Sequence, residues 1–255
     1  MTMKHSFPKS IGLSLISLFS VVTLLANNNP VPKNGYWIAY IGDNKITKKV
    51  GLHSEIQVRN LMLDNNVETF LFRTGTNIYL NDQMMLTAGY GYFNNTPSTP
   101  EMPAAKTLEH RTWQQFLTRH KMSKFQMEHR YRLEQRFVHH AANGKQAAQH
   151  RMRYRFQTLF PVYQLQEQFS HVFLALNNEL MINLRPEPTM IYDRNRFFAG
   201  MGVQLNPKMN VQMGYLNQYA NLPKYSKGQV DHCFNVIWIY NTDFIMRGIQ
   251  KKKAE

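Results

Sequence analysis

The sequence predicts an all-β chain: a single antiparallel transmembrane β-barrel of about 10–12 strands with an Arg/Glu-rich lumen, preceded by a cleaved signal peptide. Three observations lead there. Stretches of about ten residues alternate polar and apolar side chains between clusters of Asn, Asp, Gly and Pro, which is the signature of strands. At the centres of several stretches the polar members are arginine and glutamate, while lysine falls mostly between them. The chain also opens on a basic segment followed by an uncharged apolar run.

Residues 1–10, MTMKHSFPKS, carry Lys4 and Lys9, and Ile11 to Ala26 carry no charge. That run is shorter than the roughly 20 residues of a bilayer-spanning helix, ends on a small residue and gives way to polar NNNPVPKNG, so residues 1–26 read as a secretory signal peptide. The alternative for the run is a membrane anchor. Residues 27–255 then form the β-barrel domain. No stretch after Ala26 is apolar enough for a second membrane helix, and no cysteine near the end of the run offers a lipoprotein anchor. The single cysteine, Cys233, rules out an internal disulfide and reads as a packed apolar thiol.

Thirty Lys and Arg against sixteen Asp and Glu give a formal charge of +14. In an exported chain that balance points to anionic headgroups or anionic solutes rather than nucleic acid. Apart from the terminal KKKAE there is no long block of like charge.

Taken in order, the expected strands are Tyr36–Ile41, Gly51–Asn60, Val67–Gly75, Met84–Phe93, Leu108–Leu117, Phe125–His139, His150–Pro161, Val172–Leu184, Arg194–Leu205, Val211–Tyr219 and Val230–Tyr240. Turn compositions such as GDNKITKK, YLND, AANGKQ and NPKM separate them. In Gly51–Asn60, His53, Glu55, Gln57 and Arg59 oppose Leu52, Ile56 and Val58. In Phe125–Phe137, Glu128, Arg130, Arg132, Glu134 and Arg136 oppose Phe125, Tyr131, Leu133, Gln135 and Phe137. The next strand sets Arg151, Arg153 and Arg155 against Met152, Tyr154 and Phe156, and Arg194 and Arg196 oppose Phe197 and Ala199.

A soluble β-sandwich also alternates, but it usually mixes its surface residues and uses lysine freely. Matched arginine and glutamate suggest a confined space where fork-like paired hydrogen bonds count. A barrel with a polar inside and an apolar, aromatic-girdled outside accounts for both faces. Tyrosines at strand ends, among them Tyr40, Tyr90, Tyr154, Tyr215 and Tyr240, suit the girdle. Eleven strands sit badly with the even number usual for bacterial single-chain barrels, which implies a strand missed, merged or lying off the wall.

The motifs LEHRTWQQ, EHRYRLEQRF, RMRYRFQ, NNEL, DRNRFFAGMGVQLN and MGYLNQY, with FRTGTNIYLNDQMMLTAGYGY, occur in order. Together they resemble the family called domain of unknown function 2490 (DUF2490) of Gram-negative bacteria, across the mature chain from Trp37 onward. The resemblance implies an outer-membrane-type β-barrel without an assigned activity, and it supplies no catalytic residue.

The expected lumen charge network is Arg59, Arg73, Glu109, Arg111, Glu128, Arg130, Arg132, Glu134, Arg136, Arg151, Arg153, Arg155, Glu179, Arg194 and Arg196. Such a network either fills and stiffens a narrow barrel or, through its surplus of arginine, favours an anion inside it. Two functions follow: a small anion-preferring channel or solute-binding barrel, and a non-conducting structural or interaction barrel of the envelope. A lipid-modifying enzyme is a third and lesser reading, because no serine in a catalytic context accompanies His129, His139 and His140. No cofactor and no metal site is expected; the expected partners are outer-membrane lipid and a small anionic solute.

Overall fold

Alternation dictates the architecture. Successive side chains of a strand point to opposite faces, so each alternating stretch must separate two environments. The computed structural model describes residues 31–60, 67–96, 106–141, 144–165, 170–184, 191–222 and 227–244. The proposed signal peptide, residues 1–26, and most of the proline-containing segment between Phe93 and Thr107 lie outside them.

Eleven strands form one closed barrel. They are β1 (Val31–Lys45), β2 (Val50–Asn60), β3 (Thr69–Tyr79), β4 (Met84–Asn95), β5 (Thr107–Met122), β6 (Phe125–His140), β7 (Gln146–Gln164), β8 (His171–Asn183), β9 (Tyr192–Asn206), β10 (Met209–Leu222) and β11 (Lys227–Tyr240). Each strand pairs antiparallel with the next in sequence, and β1 closes onto β11 in a parallel ladder running from Val31↔Gln229 to Ile41↔Ile239. This corrects the expectation of a wholly antiparallel barrel. In an up-and-down meander of odd count the first and last strands run the same way, so the closing ladder has to be parallel. The eleventh strand therefore belongs to the wall.

The closing seam is reinforced beyond β11. The Asp43 backbone N–H donates to Asn241 Oδ1 at 2.8 Å, and the Thr242 N–H donates to Asn44 Oδ1 at 2.7 Å. Lys45 and Asp243 add an isolated parallel bridge. The segment GDNK, whose composition suggests a turn, is strand for this reason.

The two mouths of the barrel differ. At one, connections are short: residues 46–49, 80–83, 123–124, 165–170 and 207–208. Ser123 adopts φ 55° in the two-residue turn between β5 and β6, the left-handed backbone such hairpins require. At the other mouth the connections include residues 61–68, 96–106 and 184–191, and β1 begins there. The odd count sends β11 out at the short-turn mouth instead.

Apolar residues cover the outside. Phe137, Met201 and Phe234 are each more than half exposed, and Leu52, Phe72, Leu133 and Leu176 continue the belt. The inside is filled. Trp37, Phe173, Ala175, Phe198, Leu216 and Cys233 form one buried cluster, and Trp113, at 1% exposure, fills another part of the lumen. Gly89 makes that second filling possible: a Cβ there would stand 2.8 Å from the Trp113 ring and 2.2 Å from the Thr74 carbonyl oxygen. Gly202 yields to the Phe173 ring in the same way, at 2.2 Å.

Candidate functional site: the charged lumen and its loop-side cavity

β6 directs Arg130, Arg132, Glu134 and Arg136 to one face, and the ladders carry complementary charges alongside them. Glu134 stands opposite Arg151, and Glu179 stands opposite both Arg155 and Arg196. Registers of this kind place guanidinium forks beside carboxylates before any side chain adjusts.

Glu134 is the hub, with 0% exposure. Arg151 Nη2 and Arg153 Nη1 each reach it at 2.6 Å, Arg111 Nη1 at 3.4 Å and Arg73 Nη2 at 3.7 Å. Arg153 also donates to Glu179 at 2.7 Å, and Glu179 takes Arg130 at 2.5 Å and has Arg196 at 3.7 Å. Arg111 and Arg136 share Glu109 at 2.5 and 2.6 Å. Arg73 pairs with Glu55 at 2.8 Å, and Arg151 with Asp193 at 2.8 Å, beside Arg194 at 3.1 Å. These residues form one connected network. Glu128 forms a second, smaller one with Arg155 at 2.5 Å and Arg119 at 2.9 Å, near the short-turn mouth.

Of the fifteen residues expected in the network, eleven join the one around Glu134, Glu128 and Arg155 belong to the smaller one, and two stand apart from both. Arg59 and Arg132 make no ion pair among the described residues. Arg59 donates through Nε and Nη2 to Gln57 Oε1 at 2.8 and 2.5 Å and lies 4.1 Å from the centre of the Trp37 ring. Arg132 donates through the same two atoms to Gln115 Oε1 at 3.0 and 2.7 Å and lies 4.6 Å from the Trp113 ring.

Among the buried or half-buried acids that escape sequence reasoning are Asp193, Asp43 and Asp231. Asp193 is buried among arginines because the β8–β9 ladder shifts register at Met181/Ile182, which alternation cannot reveal. Asp43 lies in the segment whose composition suggests a turn, and its Oδ1 sits 2.8 Å from His53 Nδ1. Asp231 was within reach, since Gln229, Asp231, Cys233 and Asn235 alternate with Val230, His232 and Phe234. It is fully buried and accepts from Gln218 Nε2 at 2.6 Å and Gln229 Nε2 at 2.5 Å.

At the loop-side mouth the filling leaves a cavity of ≈ 240 Å³. Eight arginines line it, Arg59, Arg73, Arg111, Arg136, Arg151, Arg153, Arg194 and Arg196, against two acids, Glu109 and Asp231. Trp37 and Phe93 supply its aromatic walls, with Arg111 3.5 Å from the Phe93 ring centre and Arg196 4.8 Å from that of Trp37. The Trp37 indole nitrogen is buried with no hydrogen-bond partner among the described residues.

The outer surface is not uniformly apolar. Gln114 and Gln135 exchange side-chain amide bonds at 3.2 and 3.1 Å, and Thr112 donates to Gln135 at 2.8 Å. Asn178 and Asn195 pair reciprocally at 3.0 Å, and Tyr90 is hydrogen-bonded to His110. These polar groups satisfy one another. Ser170 donates to the Leu205 carbonyl at 2.8 Å, a backbone-capping role.

Fold and interior together define a class: closed β-barrels with an apolar exterior and a salt-bridged, side-chain-filled lumen. The family model described as "Protein of unknown function (DUF2490)" matches residues 34–229, and the chain belongs to that family. No curated protein matches the chain.

Proposed function

We propose that the protein is an integral β-barrel of the bacterial outer membrane whose lumen is sealed, so that it acts in the envelope without conducting ions. The observation that carries the reading is the inversion of polarity: arginine and glutamate are buried inside, while Phe137, Met201 and Phe234 lie open outside. A water-soluble barrel would place those faces the other way round, whereas lipid demands an apolar exterior and a closed hydrogen-bonded wall. The basic, then apolar, start of the chain supports export. Sealing is supported by Glu134 and Leu71 at 0% exposure and by Trp113 and Phe198 at 1%, inward side chains that fill the lumen and are closed to water.

The test is a planar-bilayer recording on the refolded chain, paired with a gel assay for the heat-modifiable migration of folded barrels. A folded, inserted and electrically silent protein is expected. Discrete steps would overturn the sealed lumen and favour the anion-preferring channel, in which case Arg153→Gln and Arg196→Gln should lower the selectivity. Location is read separately, by fractionating envelopes of cells that express the chain.

A further inference from the structure

We propose that the loop-side cavity is a binding site for a soluble phosphate-class oxyanion, received by Arg59, Arg196 and the indole N–H of Trp37. The inference goes beyond the sealed barrel and does not need it, since an anion can be held in a blind pocket or in an open one.

Neutralising a charge and orienting it are different operations. Around Glu134 the arginines are held by carboxylates, which fix their position and cancel their charge. Arg59 is fixed by Gln57 and by the Trp37 ring, and no carboxylate lies in ion-pair range of it among the described residues. Arg196 is fixed by Gln218 Oε1 at 2.6 Å and by the same ring, with Glu179 standing off at 3.7 Å. Gln218 is in turn anchored to Asp231 at 2.6 Å. Amides and an indole therefore hold two guanidinium groups in place; Arg59 keeps its charge free of any carboxylate among the described residues, and Arg196 shares its own only with Glu179 at 3.7 Å, which is the preorganisation that anion binding requires.

The Trp37 nitrogen adds a second, independent observation. It belongs to a side chain 2% exposed that lines the cavity, and it has no partner among the described residues. Buried donors are ordinarily satisfied, so an unmet one beside surplus positive charge points to an acceptor. The space of ≈ 240 Å³ exceeds the roughly 10–15 Å³ that one water needs and accommodates a compact oxyanion with its waters. A tetrahedral, multivalent acceptor suits several forked donors at once, which a halide does not. Glu109 and Asp231 also line the space, but Glu109 is bonded to Arg111 and Arg136, and Asp231 to two amides. Because the pocket lies inside the wall, a headgroup tethered to acyl chains outside is not its occupant.

Isothermal titration of the refolded full chain in detergent with inorganic phosphate, against matched chloride, tests the proposal. Saturable 1:1 binding is expected, weakened about tenfold or more by Arg59→Gln through loss of a charge-assisted contact. The same substitution should preserve heat-modifiable migration, since no carboxylate among the described residues is in ion-pair range of Arg59 and none of them is stranded by it. Trp37→Phe should also weaken binding, and it carries the test alone if Arg59→Gln does not refold. Lys124→Gln, in a turn at the opposite mouth, should leave the isotherm unchanged. Absence of saturable binding overturns the proposal, as does equal weakening by Lys124→Gln, which would mean non-specific charge attraction. Displacement of phosphate by short-chain phosphatidate would move the site to a lipid headgroup and overturn it too.

Discussion

The lumen contains two arginine-rich regions that use the same side chain in opposite ways. Around Glu134 guanidinium groups converge on carboxylates, with Arg151 and Arg153 at 2.6 Å and Arg153 reaching on to Glu179. Around Trp37 they rest on rings and amides, with Gln57 and Gln218 standing where the first region has glutamates. The first arrangement makes burial of charge tolerable. The second keeps charge available. Arginine content alone therefore says little about function in a barrel; the identity of what holds each arginine says more.

Breaking the first region should have the largest effect. Glu134→Gln leaves Arg151 and Arg153 without their shared carboxylate, and it should destabilise the barrel by about 3–5 kcal/mol, the range for removing one partner from a buried ion pair. Urea unfolding of the refolded chain, followed by tryptophan fluorescence, gives the number. A loss below about 1 kcal/mol, the scale of an exposed pair, would mean that water reaches the hub and that the lumen is not sealed. Arg153→Gln should cost somewhat less, about 3 kcal/mol, because Glu134 keeps Arg151 and Glu179 keeps Arg130.

How much of this was legible in the sequence depends on which kind of information each feature needs. The strands were readable because alternation is local: all eleven expected stretches coincide with a strand, and most observed strands run a few residues longer. Parallel closure was implicit in the odd count, although expecting even parity turned that count into a difficulty. β1 runs through GDNK because its Asn44 and Asp43 are engaged across the seam by Thr242 and Asn241, a contact nearly two hundred residues away in sequence. Asp193 was hidden by a register shift, and a single shift reverses what alternation predicts for the residue it displaces. The cavity could not be read at all. It depends on which inward residues meet across strands distant in sequence, such as Trp37, Arg59 and Arg196, and their meeting is a property of the closed wall.

The seam itself offers a smaller test. The parallel β1–β11 ladder has slanted hydrogen bonds and is slightly less stable per residue than its antiparallel neighbours, so its end needs support. Asn44→Ala removes the acceptor of the Thr242 N–H and should cost about 1 kcal/mol. It should also speed amide exchange at Asp43 and Lys45 ahead of the Glu134 region. Unchanged exchange there would mean that the ladder holds without its side-chain clip.

Arg132 sharpens the comparison most, although its expected effect is the smallest. Like Arg59 it is held by a glutamine and a tryptophan, through Gln115 and Trp113, and it has no carboxylate in ion-pair range among the described residues. Unlike Arg59 it does not line the loop-side cavity, and its Nη1 is buried without a hydrogen-bond partner among the described residues. If uncancelled charge is retained only where an anion can use it, Arg132 is a burden on the fold, and Arg132→Met should leave stability unchanged or raise it by about 1 kcal/mol. Phosphate binding at the cavity should be unaffected, because the substitution leaves Arg59, Arg196 and Trp37 in place. A clear loss of stability would show instead that amide and ring contacts are sufficient to make a buried guanidinium stabilising, and the distinction between cancelled and available charge would then not separate the two regions.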